Sequence, residues 1–454
     1  MLKSVLAALG LLAASLCANA QKQAAPVVSS VTEALIRRAF DYSFPLHEMG
    51  ALRLARLGDG TKPGTAQLAH LTHVRRLSGP ADRRVTAPNN DTLYSSAWLD
   101  LANGPIRLSL PDTHGRYYSV ALLDSNTDTV DIVGRRKTGT REAEFVIVGP
   151  RWEGSIPDGS RVIRASTDDV FVLVRLLVDG EPDLPLARAL QDQFSVAPLS
   201  PGLSTRPLWK SVAPAQASAA ERYLTIVNEM LERNPPPTYE TKLVQSLAEV
   251  GVCGARCTWS GLTPQLQEQW ARLLPTLLKE LKGRAKMSDD HASGWSATRP
   301  TIGRFGTDYA YRAYIALVGL LALEPAEAMY PTTQIDHRQQ ALDGSHRYRL
   351  HLPSGGIPVD AFWSLTMYQP EDDGRFFFAQ NPINRYSIGD RTSGLVKNPD
   401  GSIDILIQHD QPTGDKAANW LPAPVGPLRL ALRAYLPRAE LRERKWKVPS
   451  LTRV

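Results

Sequence analysis

Eight residues in the first third of the chain are of the types that acid–base chemistry uses: Asn90, Asp91, Tyr94, Trp98, Asp112, Arg116, Tyr117 and Asp124. Asp91 and Tyr94 follow a Pro-Asn-Asn stretch, a turn composition that places them at the mouth of a strand or the start of a helix. A carboxylate, a phenol and a guanidinium can serve as base, acid and anion clamp. Asp91, Tyr94, Arg116, Tyr117 and Asp124 are therefore the catalytic candidates. A competing reading makes Asp91 the cap of the next segment and ties Arg116 into a buried ion-pair network.

A second set lies near the C-terminal end: Trp363, Tyr368, Asn384, Arg385, Tyr386, Asp390, Asn419 and Trp420. Rings beside Asn, Asp and Arg suit sugar-like or aromatic ligands, because the rings stack while the polar groups fix orientation. Period-two spacing turns Trp363 inward with Ala361 and Leu365 and puts Tyr368 on the opposite face. Tyr368, Arg385, Tyr386 and Asn419 remain as substrate-binding candidates, and core packing accounts for most of the other aromatics. His70 and His73 would share a face if helical, near His47-Glu48, but no H-E-x-x-H arrangement supplies a third ligand, so no metal is expected. There is no G-x-S-x-G elbow, Walker A loop, G-x-G-x-x-G or S-x-x-K pair, so no cofactor, nucleotide or otherwise, is expected.

The elements that must hold these residues are legible in outline. Val31 to Leu57 has helical apolar spacing with a break at Pro45. Ile106–Leu110 and Tyr117–Leu123 read as a hairpin around PDTHG, and Glu144–Val148, Arg161–Arg164 and Val170–Val178 as further strands. Residues 213–282 are helical by pattern, with Thr263-Pro264 opening one helix, and Tyr309 to Met329 reads as another. Strands resume at His346, with a hairpin signal at Asp400-Gly401. The expected class is α+β and β-rich: two jelly-roll-like β-sandwich domains with a helical insertion. The expected divisions are a signal peptide over 1–20, an N-terminal β-rich domain with a leading helix over 21–212, a helical segment over 213–335 and a C-terminal domain over 336–454.

Lys3, the apolar run Val5–Leu16 and Ala18-Asn19-Ala20 form a secretory signal, which places the mature protein in the periplasm. No later run is long and apolar enough to span a bilayer. Export favours a disulfide between Cys253 and Cys257, which four residues of spacing confine to a local turn. Net charge is +6 with a pI near 9.1, and the basic residues are scattered apart from Arg442–Lys447, so nucleic acid is not an expected partner.

The block from Ala87 to Asp124, with GRRKTGT and IVGPRWEG behind it, resembles the N-terminal domain of unknown function family 1254. The C-terminal run containing FWSLTMY, NRYSIGDR and NWLPAP resembles its companion, family 1214, and Phe305–Pro331 also looks like these proteins. The resemblance implies exported bacterial proteins with two β-rich, jelly-roll-like domains and a helical portion, and a homo-oligomer. Two functional expectations follow. One is an exported enzyme acting on a small organic or carbohydrate-like substrate by hydrolytic or eliminative acid–base chemistry. The other is a non-catalytic, oligomeric binding or assembly protein of the envelope.

Overall fold

A computed structural model describes residues 27–60, 62–83, 86–200, 207–284, 294–296, 299–372 and 374–454. The expected signal peptide lies outside the described residues. Helix α1 (Val27–Leu57) leads into β1 (Thr72–His73), β2 (Thr92–Asp100), β3 (Ile106–Leu110), β4 (Tyr118–Leu123), β5 (Thr129–Gly134), β6 (Ala143–Val148), β7 (Arg161–Arg164) and β8 (Asp169–Leu177). Then come α2 (Leu184–Gln191) and β9 (Ser195–Pro198). The helical region holds α3 (Ala219–Arg233), α4 (Thr241–Leu247), α5 (Pro264–Gly283) and α6 (Tyr309–Val318). The C-terminal part comprises β10 (Ala328–Met329), β11 (Thr332–Thr333), β12 (Tyr348–Leu352), β13 (Val359–Pro370), β14 (Phe376–Phe377), β15 (Ser387–Gly389), β16 (Ile403–Gln408), β17 (Trp420–Pro422), β18 (Arg429–Pro437), α7 (Ala439–Arg442) and β19 (Thr452–Arg453). The fold is α+β and β-rich, with the helical region between two β parts.

Each β part is a sandwich. In the first, a sheet ordered β1-β2-β8-β4-β5 packs on one ordered β7-β6-β3-β9. Strand β8 is almost unbroken apolar sequence because it is central and buried on both faces, whereas β3 alternates buried and exposed positions. In the second, β10-β18-β13-β14, with β11 on β18 and β15 on β13, packs on β17-β16-β12-β19. Here β13 and β18 are the central strands buried on both sides. The outward face of β2, β8 and β4 is covered by α1, α3, α5 and α6 and by Phe362 and Tyr435 of the C-terminal sheet, all in one apolar cluster.

Four local expectations are corrected. Helix α1 runs straight through Pro45, because Phe40, Tyr42, Phe44, Leu46 and Met49 are buried along it and their packing outweighs the lost backbone bond. The expected hairpin does not form: β3 pairs with β6 and β9, while β4 pairs with β8 and β5 in the other sheet. The Asp400-Gly401 turn forms, with Asn398 N–H donating to Ser402 O, but it leads into β16 and joins no ladder pair. Helix α6 ends at Val318, capped by Gly319, and Leu321 adopts φ 69, so the chain leaves the helix well before Met329. The N-cap at Thr263 is as expected, its hydroxyl accepting from Leu266 N–H at 3.3 Å. The Cys253–Cys257 disulfide is present beside Asn228, which accepts from both Cys253 and Gly254 N–H. Close crossing of α1 and α3 depends on Gly50, where a Cβ would sit 2.6 Å from Ile226 Cγ2.

Candidate functional site

Strand register sets Tyr94, Arg175 and Ser119 side by side across β2, β8 and β4 on the face turned away from the N-terminal sandwich interior. Alternation along β13 sends Trp363, Leu365 and Met367 into the C-terminal core and Phe362, Ser364, Thr366 and Tyr368 to the other side. On β18, Arg433 and Tyr435 share that side, opposite Ser364 and Phe362. The two sandwiches therefore meet sheet to sheet across a seam that is polar and aromatic.

Short contacts cross it. Ser364 Oγ donates to Asp91 Oδ2 at 2.6 Å, and Arg391 Nη2 lies 3.2 Å from Asp91 Oδ1. Asn89 Nδ2 donates to the Tyr435 hydroxyl at 2.6 Å, and the Tyr368 hydroxyl donates to Pro88 O at 2.6 Å. Arg433 is buried and donates to Thr366 Oγ1, the Tyr368 hydroxyl, Ala87 O and Pro88 O. The Tyr117 hydroxyl donates to Glu327 Oε1 at 2.8 Å, and Arg136 Nε to Glu327 Oε2 at 2.7 Å. Burial pushes the Glu327 carboxyl up, against the opposing pull of Arg136 and Tyr117. Phe362 stacks on Tyr435 at 4.1 Å between ring centroids, and Tyr117 meets both rings edge-on.

Three groups in the seam stand apart from this network. Arg175 is 7% exposed and donates through Nη2 to Leu321 O at 3.0 Å. Its Nη1 is fully buried and meets no acceptor among the described residues. The Tyr94 ring lies 5.7 Å from the Arg175 guanidinium carbon. Burial pulls the Arg175 pKa down, the surrounding Tyr94, Tyr330, Tyr435 and Tyr117 more than offset that pull, and a guanidinium is charged in any case. Burial pushes Tyr330 up to about 12, and the nearby Arg175 opposes that rise. Tyr94 and Tyr330 keep part of their surface accessible, and their hydroxyls make no hydrogen bond among the described residues. The seam thus holds two partly exposed phenols near a buried, under-used guanidinium, with the Tyr94 ring lying over it.

The early break in α6 is what builds this corner. A helix continued to Met329 would carry Leu321 O, Glu327 and Tyr330 elsewhere; instead the turn delivers all three to the seam. Backbone strain collects here too: Ala87, Leu321 and Leu436 are left-handed at φ 49, 69 and 51, an arrangement non-glycine residues adopt only when their surroundings enforce it.

Of the residues expected from sequence, Asp91, Tyr94, Tyr117 and Tyr368 come together at the seam. Arg116 does not: it pairs with Asp183 and donates to Leu177 O, at the sandwich edge. Arg385 donates to Ala418 O and Trp420 O and so fastens a loop. Asn419 is buried and bridges Val396 and Asp404 O, again as a loop clamp. Tyr386 packs on Phe378 behind Tyr368 and donates to Asn384. A register irregularity between Val359 and Phe362 moves Ala361 out of the Trp363 set and against the helical core. His73 sits on a strand with Nδ1 2.8 Å from Ser95 Oγ, so it shares no helical face with His70. Among the described residues no three His, Cys, Asp or Glu are grouped to hold a metal.

Asp124 lies at the opposite end of β4 from Tyr117, buried in its own turn. Its Oδ1 accepts from Asn126 and Asp128 N–H and its Oδ2 from Ser166 Oγ at 2.7 Å. Burial, helped by the neighbouring Asp128, raises its pKa to about 6. The folded value exceeds the unfolded one, so the folded state holds an extra proton between them and stability falls as pH rises from about 4 to about 6. Asp124→Asn keeps the accepting oxygen without the charge and should flatten that fall, worth about 2–3 kcal/mol at the shift given. Urea denaturation of both proteins at several pH values reads it; parallel profiles would refute the assignment.

Arg175, Glu327, Tyr330, Arg391, Arg433 and Tyr435 were not among the sequence candidates. Arg175 carried a usable signal, a lone charge inside the apolar strand VFVLVRLL. A separate cleft of about 210 Å³ is lined by Arg151, Asp168, Lys210, Glu229, Glu232 and Arg233. Its charges pair among themselves, Arg151 with Asp168 at 2.6 Å and Lys210 with Glu232 at 3.9 Å.

Comparison with known proteins agrees with this two-part layout. Residues 68–198 match the family model described as "Protein of unknown function (DUF1254)" and residues 327–439 that described as "Protein of unknown function (DUF1214)". The VPA0106 protein from Vibrio parahaemolyticus is similar in structure, with a TM-score of 0.70 and 25% identity over 93% of this chain and 100% of that one. An uncharacterised protein from Burkholderia cenocepacia aligns at a TM-score of 0.47 and 14% identity, over 92% and 88% of the two chains. No curated protein matches the sequence.

Proposed function

For a chain that joins a DUF1254 domain to a DUF1214 domain, we propose an enzyme whose active site is the seam between the two sandwiches. It acts on a small organic or carbohydrate-like molecule by acid–base chemistry, hydrolytic or eliminative. The observation that carries this reading is the pair of partly exposed phenols, Tyr94 and Tyr330, whose hydroxyls have no partner among the described residues, beside the buried guanidinium of Arg175. Acid–base catalysis needs a proton carrier within reach of substrate, fixed by a rigid scaffold. Tyr94 on an interior strand fits that need, and Glu327 and Asp91, each held by an arginine, are carboxylates of the same seam. Burial raises the proton affinity of the Glu327 carboxylate, which suits its ionised form to receive a proton. Export to the periplasm belongs to the same proposal, supported by the leader sequence and by the Cys253–Cys257 disulfide.

Tetranitromethane, which nitrates accessible phenols, tests the reading. Peptide mass spectrometry should find Tyr94 and Tyr330 modified before the buried Tyr117, Tyr368 and Tyr435. Turnover, screened over nitrophenyl esters, nitrophenyl glycosides and uronide polymers, should be lost in step with that modification. Full activity after both tyrosines are nitrated would contradict the site.

A further inference from the structure

We propose that Arg175 anchors a carboxylate of the ligand, the rest of which is a flat apolar or aromatic body lying against Tyr94 and Tyr330. The claim rests on the seam being the binding site. It follows from where the charges of the seam are spent. Asp91 is engaged by Arg391 and Ser364, and Glu327 by Arg136 and Tyr117. Arg433 has four oxygen acceptors around it. Arg175 has one, the Leu321 carbonyl, for a group with five N–H donors. Its Nη1 is buried without an acceptor, which costs free energy that a fold with no use for the group would remove by placing Leu or Val there.

One guanidinium with a free edge and no ion-paired carboxylate among the described residues, the nearby Glu327 being held by Arg136 and Tyr117, calls for a single negative charge in a plane, the shape of a carboxylate. The walls select what carries it. Tyr94 and Tyr330 are partly exposed, Tyr330 meets Tyr435 at a right angle, and Phe362 stacks on Tyr435. A flat apolar body stacks on such rings, and a polar substituent reaches the two phenols. The Tyr94 ring covers the guanidinium and Nη1 is closed to solvent, so this binding mode requires that ring to swing aside as the carboxylate enters. The same residue that would handle the proton therefore also admits the ligand.

Benzoate and its neutral counterpart benzamide are the probes, titrated calorimetrically into the full mature protein and into Arg175→Met and Arg175→Lys. Protection of Tyr94 from nitration reports where each probe sits. The wild type should bind benzoate at least about tenfold tighter than benzamide and protect Tyr94 with either. Arg175→Met should bind both alike. Arg175→Lys, which keeps the charge but loses the fork, should retain part of the preference and covers the case of an unfolded methionine variant. Equal binding of both probes by the wild type, or a preference that survives Arg175→Met, would overturn the carboxylate assignment and leave the seam site standing. Failure of both probes to bind or to protect Tyr94 would overturn both together.

Discussion

Arg233→Met is expected to cost about 3–5 kcal/mol of stability, the effect of removing one partner from a fully buried ion network. Arg233 donates from Nη2 to Asp100 at 2.6 Å and from Nε to Asp169 at 2.7 Å, and Arg53 approaches the same two carboxylates at 3.9 and 3.3 Å. All four side chains are at most 2% exposed. Glu229 at 3.8 Å, Asn234 and the carbonyls of Pro207 and Leu208 also surround the network. Methionine fills the volume but leaves the buried Asp100 and Asp169 to share Arg53 and takes the cation away from the buried Glu229. The network ties α1 and α3 to β2 and β8, so it fixes the helices against the back of the sheet whose other end bears Tyr94. Equilibrium urea unfolding reads the effect, and a loss below about 1 kcal/mol would place these charges in water. Adding Asp100→Asn should restore part of the loss, since it removes one of the stranded charges.

Much of this architecture was legible in the sequence, and the failures share a cause. Strands such as Ile106–Leu110, Tyr348–Leu352 and Ile403–Gln408 were visible because each has one face in a core and one toward solvent, which writes a period of two into the residues. Trp363 inward and Tyr368 outward followed from the same rule. What alternation cannot carry is a sheet buried on both faces, as β8 and β18 are, because there the second face reads as more core. Hence Arg175 and Arg433, the central cations of the seam, carry no period-two signal of that second face, whereas Arg116 and Arg385, which fasten loops, stand in turn-like stretches. The break after α6 was hidden for a related reason. The Leu, Ala and Glu residues between Leu320 and Ala328 read as helix and mask two breakers, Gly319 and Pro325; Pro325 has no N–H for the Leu321 carbonyl, which accepts from Arg175 instead. Pairing between strands was the third blind spot: the short PDTHG turn suggested a hairpin, yet β3 and β4 belong to opposite sheets of one sandwich.

The second large effect concerns Tyr94. Its hydroxyl has no partner among the described residues and is partly accessible, so removing it leaves no buried group unsatisfied. Tyr94→Phe should therefore change stability by less than about 0.5 kcal/mol. If this phenol moves the proton, the same change should lower turnover by about 10²–10⁴, the usual worth of a positioned acid or base. Tyr117 makes the instructive contrast, because its hydroxyl is buried on Glu327 and Tyr117→Phe strands a carboxyl oxygen. That variant should lose stability, by about 1–3 kcal/mol. Tyr386→Phe and Arg116→Lys, which alter loop and edge contacts away from the seam, should leave turnover near that of the wild type.

The claim that the seam is the active site is tested most directly by turnover and thermal unfolding measured side by side for the wild type and Tyr94→Phe. A rate reduced at least about a hundredfold with an unchanged Tm is the expected result. A Tyr94→Phe protein that keeps the wild-type rate would contradict it.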